Sequence, residues 1–308
     1  AMEELARGAA AVQVRLSVHN SLGCAAIAKY GTAEQKKKYL PKLACGEWVG
    51  AYSLSEPGAG TDAGSLVTSA ADAGDHFLVN GTKAWVTNGG LAHVFVVFVS
   101  TDRAALARGI SCLIVEKATL GLTVGKKEKK MGLRASDTRE LVFQNANIPK
   151  SQLLGQIGEG FKIAMSLLDS GRIGIAAQAV GIGRAALEEA VSYAKERKQF
   201  GKKLSEFQLT QAKIADMATN LDAARLLVYR AAALLARGKR CTKEASMAKS
   251  FASRAANKAC YDALQIHGGN GYVREFPVER YFRDARVTEI YEGTTEIQSL
   301  IVAHEVLG

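Results

Sequence analysis

Residues 160–200, "GFKIAMSLLDSGRIGIAAQAVGIGRAALEEAVSYAKERKQF", decide the fold. Two readings compete for their middle. Gly181-Ile182-Gly183-Arg184-Ala185-Ala186 matches the GxGxxA string of a dinucleotide-binding turn, but such a turn needs a strand immediately before it. Here the string lies inside a helical register, where glycines let a second helix come close. The nicotinamide reading fails on that context. A helix this long exceeds the globular average and predicts a bundle.

The pattern downstream agrees. Ser205 and Gln208 form a capping-box signature that opens a second long helix through "EFQLTQAKIADMATNLDAARLLVYRAAALLARG" (206–238). Thr242 is read as the cap of a third, ending near His267-Gly268-Gly269. Thr295 with Gln298 is read as capping the last. Upstream, Trp48 to Ile148 turns to short β-rich runs in which Val, Thr and Phe dominate. "HFLVNGTKAWVTNGG" (76–90) reads as a hairpin with Asn80-Gly81 as its turn. "HVFVVFVS", "ISCLIVEK", "LTVGKKEKK" and "RELVFQ" follow at the spacing of a compact antiparallel unit. Ala1 to Cys45 is helical again, with a capping box at Thr32 and Gln35 and with Pro41 expected to bend or interrupt the helix it sits in. The expected order is helices (1–47), a β-domain (48–150) and a four-helix bundle (151–308), an α+β fold.

Composition narrows the classes. The 308 residues are 48% hydrophobic and 23% charged, the balance of a soluble globular protein. No apolar stretch is long enough to span a bilayer. Five cysteines (Cys24, Cys45, Cys112, Cys241, Cys260) are scattered and never in a CxxC pair, which argues against a disulfide framework or zinc site and fits a reducing compartment. The net charge of +10 favours a phosphate-bearing ligand or an acidic protein partner. No nucleic-acid-binding motif accompanies it, so a nucleic-acid role would rest on charge alone. The opening residues are already in helical register, without the layout of a signal peptide, and read as a fragment whose upstream part is missing.

Several stretches could carry chemistry, each with an ordinary alternative. In "YSLSEPGAGTDAG" (52–64) Pro57, Gly58 and Gly60 force a compact turn flanked by Ser55 and Thr61 hydroxyls. It can hold the polar edge of a flat ring, or be a plain surface loop. Trp85 and Thr87, two apart, share a strand face suited to a heteroaromatic ring, although a core Trp is the commoner case. Asp169 and Arg172 lie three apart on a helix and could simply pair with each other. Arg197 and Phe200 sit at a helix end, where solvation suffices. Gln265 to Gly269 end a helix with glycines that permit close backbone approach or plain C-capping. His267 has no His or Cys at ligand spacing, so a metal site is not expected. Glu292, in "YEGTT" (291–295), is either a charge at a helix boundary or a base held by a glycine turn.

"LSEPGAGTDAG", "GTKAWVTNGG", "LDSGRIGIAAQA", "ERKQFGKKLSEFQ", "QIHGGNGY" and "RDARVTEIYEGTTEIQ" together, in this order, resemble the acyl-CoA dehydrogenase family over essentially the whole chain. The short-chain (butyryl-CoA) branch is the most similar. The resemblance implies part of an N-terminal helical domain, a β-barrel-like antiparallel middle domain and a C-terminal four-helix bundle, with FAD as cofactor and its flavin between the last two. Tyr52, Leu54, Ser55, Thr61, Trp85 and Thr87 would then bind the flavin. Arg197, Phe200, Gln208, Gln265, Gly268 and Gly269 would hold the rest of an FAD belonging to a neighbouring subunit, and Thr294 and Glu296 would also touch the cofactor. Thr61, Asp169, Arg172 and Gly293 would meet the acyl-CoA, and Glu292 would be the base. One relative carries its base on the bundle helix instead, where this chain has Gly171. The resemblance further implies an electron-transfer flavoprotein as acceptor, a homotetramer, no nucleic-acid or membrane partner, and a bacterial cytoplasm or mitochondrial matrix. Two alternatives stand beside it: another family member (branched-chain, glutaryl-CoA or cyclic acyl-CoA dehydrogenase, or an oxidase) and a non-catalytic truncated scaffold.

Overall fold

A computed structural model describes residues 1–308. The chain divides into two compact units: 15–129 with 136–171, and 1–14 with 130–135 and 172–308.

The first unit is built on a sheet. Its helices are the end of α1 (Met2–Ser17), a π-helical turn at Val18–Cys24, α2 (Ala25–Tyr30) and α3 (Ala33–Ala44). Its strands are β1 (Gly50–Ser53), β2 (Ser69–Asp72), β3 (His76–Thr87), β4 (Val94–Ser100), β5 (Ile110–Glu116), β6 (Leu122–Val124), β7 (Thr138–Pro149) and β8 (Leu153–Leu154), and the first turns of α4 (Gly160–Glu196) follow. The order is β6-β7-β3-β2-β4-β5-β8, with β1 alongside β4. Every residue of β4 is buried, so its unbroken "VFVVFVS" shows no alternation. Phe77, Val79, Phe95, Val97, Leu113, Val115, Leu141 and Phe143 form the core of the unit.

Several expectations change here. Asn80-Gly81 is not a hairpin turn: β3 runs through it as one strand of 12 residues, antiparallel to both β2 and β7. Gly81 instead marks a register shift against β7, at φ +144°, and a Cβ there would lie 2.6 Å from Thr68 Oγ1. The glycine serves a bulge and a close crossing. The sheet is not wholly antiparallel either, since β1 pairs parallel with β4. The Thr32–Gln35 capping box is present in full. Pro41 leaves α3 unbroken to Ala44.

The second unit is helical: the start of α1, the rest of α4, α5 (Gln208–Ala236), α6 (Thr242–His267), α7 (Val278–Ala285) and α8 (Thr295–Leu307). A two-residue-stranded hairpin, β9 (Lys198–Gln199) with β10 (Lys202–Lys203), links α4 to α5. Where α4, α5 and α6 cross, the core is made of small residues, including Ala176, Ala179, Ala224, Ala248, Ala252 and Ala256. A Cβ on Gly183 would stand 2.4 Å from Leu221 Cδ2, and one on Gly181 would stand 2.3 Å from the Glu3 carbonyl oxygen of α1. These glycines are therefore helix-crossing points, as the helical register around them required.

The expected caps shift by a residue or so. α5 starts at Gln208 after Phe207, without a Ser205 cap; Glu206 instead accepts from the Lys203 amide at 2.8 Å. Thr242 is the first residue of α6, and Cys241 precedes it as the cap position. α8 is capped by Thr294, whose hydroxyl accepts from the Ile297 amide at 3.4 Å, while Gln298 turns inward to another task. No helix is long and apolar enough to cross a membrane.

Candidate active site

Strand β1 leads into the loop that carries Leu54, Ser55 and Thr61. Two devices hold it. The Ser55 carbonyl accepts from the Ala84 amide of β3 at 2.9 Å, and Glu56 and Ala59 bridge each other's backbone. Beneath them lies a buried ion pair: Lys83 Nζ donates to Glu56 Oε1 at 2.7 Å and to the Leu54 carbonyl at 3.1 Å. The same carboxylate accepts from the amides of Val67 and Thr68. Burial alone would raise the Glu56 carboxyl, but Lys83 and these donors outweigh it and hold it below its ordinary value. The loop backbone is thus fixed while Gly58 and Gly60 face open space.

Val86 joins the core between Trp85 and half-buried Thr87. Trp85 is 66% exposed and left-handed at φ +60°, next to the second register shift of β3. Tyr52 is half-buried, tilted against Phe98 with ring centroids 5.0 Å apart. Its hydroxyl is shielded from solvent. A rigid loop beside a large exposed ring suits a planar heteroaromatic group with polar edges. Asp169 is half-buried on α4.

In the helical unit, Glu292 and Gly293 are both left-handed, at φ +52° and +93°. Only Gly293 fits its place: a Cβ there would lie 2.4 Å from Gln298 Nε2. The left-handed Glu292 costs energy that surrounding contacts must offset. Buried Gln298 donates to the carbonyls of Glu292 at 3.3 Å and Gly293 at 3.0 Å. Tyr291 donates to Gln178 of α4, and Gln178 donates to the Ala10 carbonyl at 3.0 Å. On α6, Lys249, Ser253 and Asn257 stand at i, i+4 and i+8, one face of a helix. They donate to the carbonyls of Gly293 (2.5 Å), Thr288 (2.8 Å) and Ala285 (3.1 Å) respectively.

One oxygen of the Glu292 carboxylate, Oε2, is shielded from solvent and has no hydrogen-bond partner, as is true of Gln298 Oε1 in the same arrangement. Burial pushes its pKa up to about 7, against the opposing pull of Lys249 and Arg172. Such a carboxylate is dry, uncommitted and partly ionised near neutral pH, which are the requirements of a base.

The remaining candidates form a second group. Arg197 and Gln208 are exposed, and Phe200 is 95% exposed and left-handed at φ +52°. The ends of α4 and α6 are brought together by Tyr193, which stacks on His267 at 4.2 Å and accepts from Asn270 at 2.9 Å. This places exposed Gln265, Gly268 and Gly269 at the same end of the unit. His267 itself is buried, its Nδ1 2.8 Å from the Ala263 carbonyl. Glu296 is exposed in the first turn of α8. Of seven non-glycine residues with positive φ, Trp85, Phe200 and Glu292 were singled out from sequence, and strained backbone concentrates at functional sites.

The supports were missed. Lys83 falls on the buried parity of β3 (77, 79, 81, 83), and Lys249 on an alanine-lined face of α6. A lysine at a core position was the available signal.

Comparison with known proteins identifies the family and the fold. Acyl-CoA dehydrogenase profiles match in three parts: the N-terminal domain at 1–47, the middle domain at 51–146 and the C-terminal domain at 158–307. An acyl-CoA dehydrogenase of Bacillus subtilis is 55% identical over 308 residues, covering 100% of this chain and 81% of that protein. The mitochondrial short-chain specific acyl-CoA dehydrogenase of Bos taurus is 53% identical, covering 100% of this chain and 74% of that one. The structure of butyryl-CoA dehydrogenase from Megasphaera elsdenii superposes with a TM-score of 0.98 at 47% identity, covering 100% of this chain and 80% of its own. A chain from work on the electron transferring flavoprotein of Acidaminococcus fermentans superposes with a TM-score of 0.98 at 48% identity, covering 99% and 80%.

Proposed function

The chain belongs to the acyl-CoA dehydrogenase family, and from that premise we propose that it oxidises a short-chain acyl-CoA thioester to its α,β-unsaturated product, with Glu292 as the base. It is an FAD-dependent oxidoreductase of fatty acid metabolism whose electrons pass to an electron-transfer flavoprotein. The observation that carries the assignment of the base is the buried, unpartnered Oε2 of Glu292 in its left-handed turn.

The residues fit the cofactor. Tyr52, Leu54, Ser55, Thr61, Trp85 and Thr87 would hold the flavin, with Thr294 and Glu296 also touching FAD. Arg197, Phe200, Gln208, Gln265, Gly268 and Gly269 would hold the FAD of a neighbouring subunit, in keeping with the tetramer of the family. Asp169, Arg172, Thr61 and Gly293 would meet the thioester. When bound, FAD supplies the acceptor for the β-hydride. The protein's share is the α-proton. Glu292 takes it on an oxygen with no other partner, so no hydrogen bond has to break first. Its pKa of about 7 makes it a stronger base than an ordinary carboxylate while leaving a large ionised fraction at neutral pH. Arg172 and Lys249 balance that charge. We further propose domains at 1–47, 48–150 and 151–308, and a bacterial cytoplasm or mitochondrial matrix as the compartment.

An anaerobic titration of the flavoprotein with butyryl-CoA tests the reading. The flavin band of the parent should bleach within the mixing time. Glu292→Gln should bleach about 10²–10⁴-fold more slowly. Parent-like bleaching by Glu292→Gln would remove Glu292 from the role.

A further inference from the structure

We propose that Lys249 is a positioning residue for the Glu292 carboxylate: its buried ammonium, bonded to the Gly293 carbonyl, locks the left-handed turn from which Glu292 projects and brings a positive charge to bear on it. This rests on Glu292 being the base.

The geometry is specific. Lys249 is wholly buried in the middle of α6, among residues that are otherwise small or apolar. Burying an ammonium there is costly unless it is paired and hydrogen-bonded. Its recorded hydrogen bond, at 2.5 Å, runs to the carbonyl of the residue next to Glu292. Gln298 reaches the same carbonyl from α8, so the Gly293 peptide is gripped from two helices. Ser253 and Asn257 continue the grip one and two turns along α6. A tether alone would need no charge, because a neutral amide can also donate to a carbonyl, though less strongly. The charge matters because of what surrounds it. Glu292 feels Lys249 from α6 and Arg172 from α4, while the neighbouring Tyr291 hydroxyl is engaged by Gln178. Burial lowers the Lys249 pKa to about 8, and the charges it feels are those of Glu292, Arg172, Glu289 and Glu296. Glu289 is paired with Arg286, and Glu296 is exposed at the start of α8, which leaves Glu292 as the buried counter-charge of Lys249.

Two variants separate tether from charge. Lys249→Gln retains a donor for the Gly293 carbonyl and loses the charge; Lys249→Met loses both at similar volume. In both, the acid limb of kcat/KM should move up by about one pH unit or more. Below the limb the rate should then fall about tenfold relative to the parent, and Lys249→Met should also lose plateau kcat beyond Lys249→Gln. A second readout needs no substrate: the thermal midpoint declines between the ordinary carboxyl pKa and the folded-state pKa of Glu292, and the upper edge of that window should move up by the same amount. Limb and window both unmoved in Lys249→Gln would overturn the proposal and leave Lys249 a structural residue. If Lys249→Met does not fold, Lys249→Gln alone decides. Parent-like activity of Glu292→Gln would instead refute the base assignment, and the thermal window would still report whether Lys249 acts on that carboxylate.

Discussion

The Lys83–Glu56 pair makes a quantitative prediction about the loop that carries Leu54, Ser55 and Thr61. The side chains are 0% and 2% exposed, and their charged atoms lie 2.7 Å apart. At an effective dielectric of about 20, their attraction is about 6 kcal/mol. Desolvating two ions returns most of that, so the intact pair contributes little net stability. Removing one partner is different. Lys83→Met leaves a buried carboxylate facing only the Val67 and Thr68 amides, and the Leu54 carbonyl loses its donor. That should cost about 3–5 kcal/mol. Lys83→Met with Glu56→Gln removes both charges while an amide oxygen still accepts from the loop, so the double variant should recover about 2 kcal/mol or more of the summed single costs. The assay is urea unfolding of the flavoprotein read by flavin fluorescence, because a loosened loop should release FAD early. Strictly additive single costs would refute the reasoning, as would a Lys83→Met variant within about 1 kcal/mol of the parent.

Two further outcomes follow from other parts of the molecule. The folded protein keeps the Glu292 proton up to about pH 7, whereas an ordinary carboxyl releases it near 4.5. Stability should therefore fall as pH rises through this window, by about 2–4 kcal/mol, and level off above it; Glu292→Gln should lack the decline. In α4, Gly181→Ala should destabilise by about 1–3 kcal/mol in thermal unfolding because its Cβ would meet the α1 backbone, whereas Gly8→Ala, with open space around it, should be within about 1 kcal/mol of the parent in either direction.

Legibility followed the range of the interactions concerned. The 37-residue α4, the helical context of Gly181 and Gly183, and the order of helices, strands and helices were readable because periodicity is a local property that burial then enforces. The Thr32–Gln35 box was readable for the same reason. Asn80-Gly81 misled because a turn signal and a bulge signal use the same residues; only the pairing of β3 with β2 and β7 on its two edges decides between them. Thr295 with Gln298 also had the spacing of a box, but Gln298 is spent on the Glu292 turn. The candidate residues could be named from motifs in one dimension. Their chemistry could not. That the Glu292 carboxyl has a pKa near 7, and not that of an ordinary surface acid, depends on its burial, opposed by a lysine 43 residues away and an arginine 120 residues away. Burial and charge act through space, so the strength of this acid is set where α4, α6 and the turn before α8 meet.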